Sequence, residues 1–319
     1  MEQVLEKWTN KINSVVIGAT PEEGGSRTSK VVVGGEKTLP FLFFEGDMPY
    51  KPVIAMEILD KEPLDWPESL KEPFKDVLNN PVLWAKKCVE VYKAELLCLS
   101  LKSIHPDYGE PDIDKVLNTL KSILKEVSVP LIILGCGDPE RDNLILPKCS
   151  ELTKGERCLF GDAVQENYKT LTASCLADGH NIIAESPIDI NIAKQLNILI
   201  SEMGLELNRI VINPTIGALG YGLEYAYSIM ERARLAGLSG DKMLACPFIC
   251  FVGQEAWRAK EAKALSTEFP EWGPQKERGI LWEAVTALGV LLAGADILVM
   301  RHPKAIEIIR ETIERLMSD

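Results

Sequence analysis

The sequence predicts an α/β fold: a (β/α)₈ TIM barrel with an N-terminal β-hairpin extension. Three observations carry that prediction. Eight short runs rich in Val, Ile, Leu and Phe are spread over residues 53–300. Each is apolar throughout rather than alternating, as parallel strands covered on both faces require. Stretches of helical period separate the runs. No GxGxxG follows the first run and no GxxxxGKS/T occurs anywhere, so the open doubly wound sheet is the weaker competitor.

The elements follow in order. Ser14–Ile17 (SVVI) and Lys30–Val33 (KVVV) read as two strands of a hairpin, joined by a segment holding Pro21, Gly24 and Gly25. Residues 1–50 are this hairpin and a lead-in, and residues 51–319 are the barrel. The hairpin's expected place is over one barrel end, covering apolar side chains. The hairpin, the aromatic-rich Pro40–Tyr50 segment and the Trp272 loop are candidates for a surface that meets a partner, and Phe41, Phe43 and Phe44 could equally plug the barrel's amino end.

The eight barrel strands are expected at 53–58, 96–101, 131–134, 158–161, 182–184, 210–212, 247–252 and 297–300. Asp112 is placed to cap a helix carrying Ile113, Leu117, Leu120, Leu124 and Val127. Asp189 likewise precedes Ile192, Leu196, Leu199 and Met203. Pro303 stands at a first helical position before Ile306, Ile309, Ile313 and Leu316, with Glu311 and Arg315 one turn apart on the exposed side. Residues 265–279, with two Pro, two Gly and Trp272, read as a long loop.

Composition narrows the function. Lys plus Arg number 35 against 47 for Asp plus Glu, a net charge of −12. That opposes nonspecific binding to nucleic acid or an anionic membrane. No apolar run approaches membrane-spanning length, and MEQVLEKWTNK is no signal peptide. A cytoplasmic location is expected. The eight cysteines contain no CxxC pair, and His105, His180 and His302 stand far apart. Free buried thiols and no protein-ligated metal are expected.

In such barrels chemistry sits at the carboxyl ends of the strands. The residues there are Glu57 and Asp60, then Lys102 and His105, then Gly135-Cys136-Gly137-Asp138. Asp162 and Asn167 follow the fourth strand, Glu185-Ser186 the fifth, and Asn213-Pro214-Thr215 the sixth. Gly253-Gln254-Glu255 and Arg301-His302 complete the rim. Paired carboxylates could serve as general acid and base, or simply face water. Cys136 could be a nucleophile, but no His partner is apparent, so an ordinary loop thiol competes. Residues 213–222 place Gly217, Gly220 and Gly222 within six positions, which lets backbone amides meet a ligand or merely loosens a connection. Asp162 and Asn167 could grip a pterin edge or cap the next helix. No autonomous catalytic set emerges.

Particular strings go further. They are Gly135–Glu140 (GCGDPE), Gln165–Lys169 (QENYK), Ser186–Asn191 (SPIDIN), Asn213–Tyr225 (NPTIGALGYGLEY), Ser228–Arg232 (SIMER) and Gly279–Val285 (GILWEAV). Together they resemble the small subunit of the corrinoid/iron–sulfur protein, the acetyl-CoA decarbonylase/synthase delta-subunit family, over essentially the whole chain. The resemblance implies a TIM-barrel subunit of a heterodimeric methyl carrier in the anaerobic, reductive acetyl-CoA pathway. Its large-subunit partner would hold the iron–sulfur cluster and a mobile cobalamin-binding domain. The corrinoid, shared with that partner, would lie against the carboxyl end of this barrel. Methyl would arrive from methyltetrahydrofolate through a separate methyltransferase and leave to the nickel cluster of acetyl-CoA synthase. A reductive activator would be a further transient partner.

The expected corrinoid contacts are Gly135, Cys136, Gly137, Asp162, Glu185, Asn213, Thr215, Gly217 and Gly253. Backbone amides and side-chain polar groups would reach the corrin's amides, with no histidine of this chain as axial ligand. The rival is a stand-alone, pterin-dependent methyltransferase of the same barrel type.

Overall fold

The computed structural model describes residues 5–318. Two short strands, β1 (Val15–Ile17) and β2 (Val31–Val33), form an antiparallel hairpin. Eight parallel strands then close a barrel: β3 (Val53–Leu59), β4 (Leu96–Ser100), β5 (Leu131–Leu134), β6 (Leu159–Ala163), β7 (Asn181–Glu185), β8 (Ile210–Asn213), β9 (Phe248–Cys250) and β10 (Ala295–Met300). Strands pair in chain order, and β10 closes the ring onto β3. The helices are α1 (Glu68–Lys71), α2 (Pro81–Glu90), α3 (Ile113–Glu126), α4 (Pro139–Leu152), α5 (Tyr168–Asp178), α6 (Ile190–Glu202), α7 (Leu223–Leu238), α8 (Val252–Ala256), α9 (Lys260–Lys263), α10 (Gln275–Leu292) and α11 (Pro303–Leu316). Among the described residues, no helix is long and apolar enough to cross a membrane.

The caps act as the sequence requires. Asp112 accepts from the Lys115 amide at 3.0 Å, and Asp189 from the Asn191 amide at 2.7 Å. Each satisfies a donor with no partner inside its helix. Pro303 opens α11 behind His302, and the Arg315–Glu311 pair spans one turn at 3.9 Å.

Side chains divide by strand period into two cores. Ala55, Leu96, Cys98, Ile132, Leu159, Ile183, Val211, Ile249 and Val299 fill the barrel interior. Alternate strand residues, such as Ile58, Leu97, Ile133 and Ile212, pack outward against the helices.

The hairpin seals the amino end. Val15, Ile17, Val31 and Val33 join the interior cluster directly. The Gly18 amide donates to the Arg157 carbonyl at 2.9 Å, and Asn181 Nδ2 donates to the Val16 carbonyl at 2.8 Å. A Cβ at Gly18 would sit 2.7 Å from Pro130, so this glycine permits the close approach. Buried Arg27 pins the connecting loop. Its Nε donates to Glu156 at 2.9 Å, Nη1 to the Val127 carbonyl at 2.7 Å, and Nη2 to the Leu124 carbonyl at 2.8 Å. The last two stand at the end of α3, so the guanidinium caps that helix. The phenylalanine plug is not used: Phe41 packs against the outer core, and Phe44 is exposed.

Three expected boundaries shift for physical reasons. The fourth strand runs on through Asp162 to Ala163, although the sequence turns polar there. The run at 247–252 is strand only at Phe248–Cys250, because Val252 already opens α8. An apolar run alone cannot tell strand from buried helix. The expected loop at 265–279 is shorter, since α10 begins at Gln275. Its Trp272 is half-buried, stacked on Phe269 with ring centroids 4.2 Å apart.

Candidate functional site

The carboxyl ends of the strands surround an open mouth made of two adjoining cavities. One, about 200 Å³, is lined on its acidic side by Gly135, Cys136, Gly137, Asp162, Glu185, Asn213 and Thr215. The other, about 300 Å³, lies toward β3 and β10 and shares Lys102, Cys136 and Gln254 with the first. The barrel's own side chains therefore do not close the mouth.

The acidic half is built by neighbouring strands. Glu185 and Asn213 are register partners on β7 and β8. Asn213 Nδ2 reaches Asp162 Oδ1 at 3.4 Å, and its own Oδ1 accepts from the Thr215 amide at 3.0 Å. Thr215 Oγ1 donates to the Ser186 carbonyl at 3.0 Å and lies 3.4 Å from Glu185 Oε1. Thr215 has φ 54°, a left-handed conformation that a β-branched residue adopts only under constraint. Burial pushes the Asp162 carboxyl well up, and the Glu185 charge pushes it the same way. Burial also raises Glu185. Both groups thus hold protons more readily than free carboxyls, and a protonated carboxyl donates a hydrogen bond.

The glycine loop after β5 works differently from a ligand cradle. A Cβ on Gly135 would lie 2.1 Å from Asp142 Oδ1. Asp142, on α4, takes the Cys136 amide at 2.8 Å and the Gly137 amide at 3.2 Å. The two backbone donors expected to meet a ligand are therefore already spent on this chain's own carboxylate. Gly137, with φ 90°, keeps open space where its Cβ would be. The Cys136 thiol is pushed up to about 11, chiefly by burial, so it is no activated nucleophile at neutral pH.

Seven of the nine expected contacts therefore share one cavity wall. Gly217 and Gly253 do not join them. A Cβ on Gly217 would meet the Tyr221 carbonyl at 2.2 Å, and one on Gly253 would meet Arg301 Cγ at 2.7 Å. Both glycines serve tight internal packing. Asn167 accepts from the Val164 amide at 2.8 Å and donates to the Asp162 carbonyl at 3.0 Å, which fixes the turn after β6.

Four residues organise the mouth in ways the sequence did not assign: Asp142 and Glu283 were not singled out there, and Glu57 and Arg301 were placed on the rim without their pairing. Asp142 occupies the glycine loop, as above. Glu57 and Arg301 form a buried pair beneath the second cavity, Arg301 Nε to Glu57 Oε2 at 2.5 Å, with Ser100 Oγ on Glu57 Oε1 at 2.7 Å. Glu283 of α10, fully buried, takes the Trp257 indole at 2.7 Å, the Arg301 amide at 2.5 Å and the His302 amide at 3.1 Å. The one available signal was a carboxylate inside an apolar run, which Glu57 gives in VIAMEIL and Glu283 in ILWEAV.

Fold and site together define a TIM barrel with an open polar mouth, where burial holds the Cys136 thiol protonated. The sequence model of the CO dehydrogenase/acetyl-CoA synthase delta subunit matches residues 14–315. Acetyl-CoA decarbonylase/synthase complex subunit delta 1 of Methanosarcina thermophila is 35 % identical over 317 residues, covering 98 % of this chain and 72 % of that one. The delta subunit of Archaeoglobus fulgidus is 36 % identical over 320 residues, covering 99 % and 70 %. The chain belongs to the CO dehydrogenase/acetyl-CoA synthase delta subunit family. Among solved structures, the dihydropteroate synthase of Stenotrophomonas maltophilia superposes with TM-score 0.56 at 13 % identity, covering 86 % of this chain and 96 % of that one. The Coxiella burnetii enzyme gives 0.56 at 12 %, covering 95 % and 98 %. At such identity they show a shared barrel and nothing of its chemistry.

Proposed function

We propose that this chain is the barrel subunit of a multi-subunit acetyl-CoA decarbonylase/synthase assembly, and that its mouth covers a corrinoid held by a large-subunit partner. The observation that carries the reading is the wall of Asp162, Glu185, Asn213 and Thr215 around an open cavity. Two carboxyls whose ionisation burial disfavours, one carboxamide and one hydroxyl suit the amide groups at a corrin's edge, which both donate and accept. These side chains would hold the ring by its polar edge. Cys136 stays a thiol, and His302, buried against the Trp257 ring, is not among the residues lining either cavity. The corrinoid supplies the cobalt that carries the methyl group. This chain's residues would bind the ring edge through Asp162, Glu185, Asn213 and Thr215, and exclude water. The iron–sulfur cluster belongs, in this reading, to the partner.

A second reading has one observation in its favour. Asp162 and Asn213 present an acid and an amide side by side, 3.4 Å apart, an edge that would also suit a pterin. One experiment separates the two. The purified chain is titrated with methyltetrahydrofolate and free cobalamin, and Co–CH₃ absorbance is followed. Then the corrinoid-loaded complex with the large subunit is compared with the free chain by hydrogen exchange. The carrier reading expects no turnover alone, and protection of the 135–137 and 213–217 segments only in the loaded complex. Turnover without a partner, or protection that bypasses the mouth, overturns it.

A further inference from the structure

The mouth is polarised, and its second half has a different chemistry from the first. Here Lys61, Lys102 and Arg301 line a cavity of about 300 Å³ walled by Trp66 and Trp257. That is unexpected in a chain of net charge −12. Arg301 is only 7 % exposed. Its Nε is tied from behind to Glu57 at 2.5 Å, and its guanidinium lies 4.9 Å from the Trp66 ring centroid. The two terminal nitrogens make no hydrogen bond among the described residues, and the side chain lines the cavity. A buried, immobilised guanidinium fork with one edge unused is the geometry that reads a two-oxygen anion.

Charge around it agrees. Glu57 neutralises one cation, and its own carboxyl is held below the usual range by Arg301 and Lys102 against the opposing effect of burial. Lys102 forms no ion pair among the described residues, and Lys61 Nζ rests 3.1 Å over the Tyr108 ring. Glu62, Asp65 and Asp107, which also border the cavity, are solvent-exposed. The half-buried and buried charges facing inward are thus one carboxylate and three cations. The site lies after the first, second and eighth barrel strands and shares Gln254 with the loop after the seventh. The loops after the last two strands are where this fold often holds phosphate.

We infer that the Arg301–Lys102–Lys61 side of the mouth is a phosphoryl-binding subsite, taking a phosphate ester carried by whatever molecule sits across the two cavities. A lone carboxylate would use the fork and leave two lysines unanswered, whereas a phosphoryl group has oxygens for all three. This deepens the reading above and rests on it for the place, not for the identity of the molecule.

The test is calorimetric titration of the full chain with pyrophosphate at low ionic strength, followed by methyl phosphate, dimethyl phosphate and acetate. Saturable pyrophosphate binding is expected, weakened about tenfold or more by Lys102→Gln and by Arg301→Lys, and unchanged by Lys242→Gln on a distant exposed turn. Lys102 has no buried partner to orphan, so that variant keeps the test valid if Arg301→Lys unfolds. Preference for dimethyl phosphate assigns a diester and for methyl phosphate a monoester; both uphold the subsite. No saturable binding, equal binding in all variants, or acetate binding as tightly as the phosphates overturns it. Pyrophosphate binding with an unprotected mouth in the corrinoid-loaded complex sinks the corrinoid reading alone.

Discussion

Glu57→Gln should cost this protein about 3–5 kcal/mol at pH 7, because it leaves the buried Arg301 guanidinium without its counter-charge. Glu57 is 1 % exposed and Arg301 7 %, with 2.5 Å between Oε2 and Nε. Coulomb attraction between charge centres about 4 Å apart is roughly 4 kcal/mol at an effective dielectric of 20, the same size as the expected loss. Glutamine keeps the acceptor for Ser100 Oγ but turns an amide donor toward Nε, so donor faces donor. In a cycle of Glu57→Leu, Arg301→Met and the double variant, removing both charges should recover much of the loss, giving a coupling energy of about 2–3 kcal/mol. Urea denaturation followed by tryptophan fluorescence measures each corner of the cycle. The sign with pH is fixed. The folded-state pKa of Glu57 lies below its ordinary 4.5, so its contribution is complete above 4.5 and lost as pH falls through the folded value. Wild type and Glu57→Gln should therefore converge in acid. A single-variant cost under about 1 kcal/mol, or an additive double variant, would show that the pair does not hold Arg301.

Two further outcomes follow from other buried groups. Glu283 is pushed up to about 7, mainly by burial. A raised folded pKa gives stability that is whole below 4.5 and lost as pH rises through 7, here about 3 kcal/mol at 1.36 kcal/mol per unit; Glu283→Gln should flatten the pH 5–8 dependence of the urea midpoint, and an unchanged slope refutes this. Arg27→Met should cost about 3–5 kcal/mol and speed amide exchange in β1 and β2 before the barrel strands. Uniform acceleration would mean that the hairpin is not held through Arg27.

The barrel was legible because its strands are buried on both faces. Runs such as Leu131–Leu134 and Ile210–Ile212 have no polar alternation to blur them. Caps were legible for a local reason: Asp112 and Asp189 bond amides two or three residues away. The hairpin was found, but whether Phe41, Phe43 and Phe44 plug the amino end or face a partner was left open, since only packing decides where an apolar segment is buried. At the mouth, the acidic wall followed from strand order, because each residue sits at its own strand's end. What escaped was long-range pairing. Glu57 and Arg301 lie 244 positions apart, and nothing local marks them as partners. The glycine loop misled for a related reason. Gly135 does permit a close approach, but the approaching group is Asp142 from the next helix.

The two barrel ends use buried arginine in opposite ways, and that contrast argues for which end is functional. At the amino end, all three Arg27 nitrogens are bonded to Glu156, Ser26 and carbonyls at the α3 terminus. Its hydrogen bonds are all internal, and the hairpin above it joins the barrel core. At the carboxyl end, Arg301 is as firmly oriented through Nε alone, and its remaining donors line a cavity. Asp162 and Glu185 likewise sit half-buried where ionisation is disfavoured, although a neutral side chain would pack there at less cost. Polar groups held rigid with their bonding capacity unfilled lower stability unless a ligand completes them. They gather at one end of this barrel, the end where loops can vary without disturbing the strands that carry them.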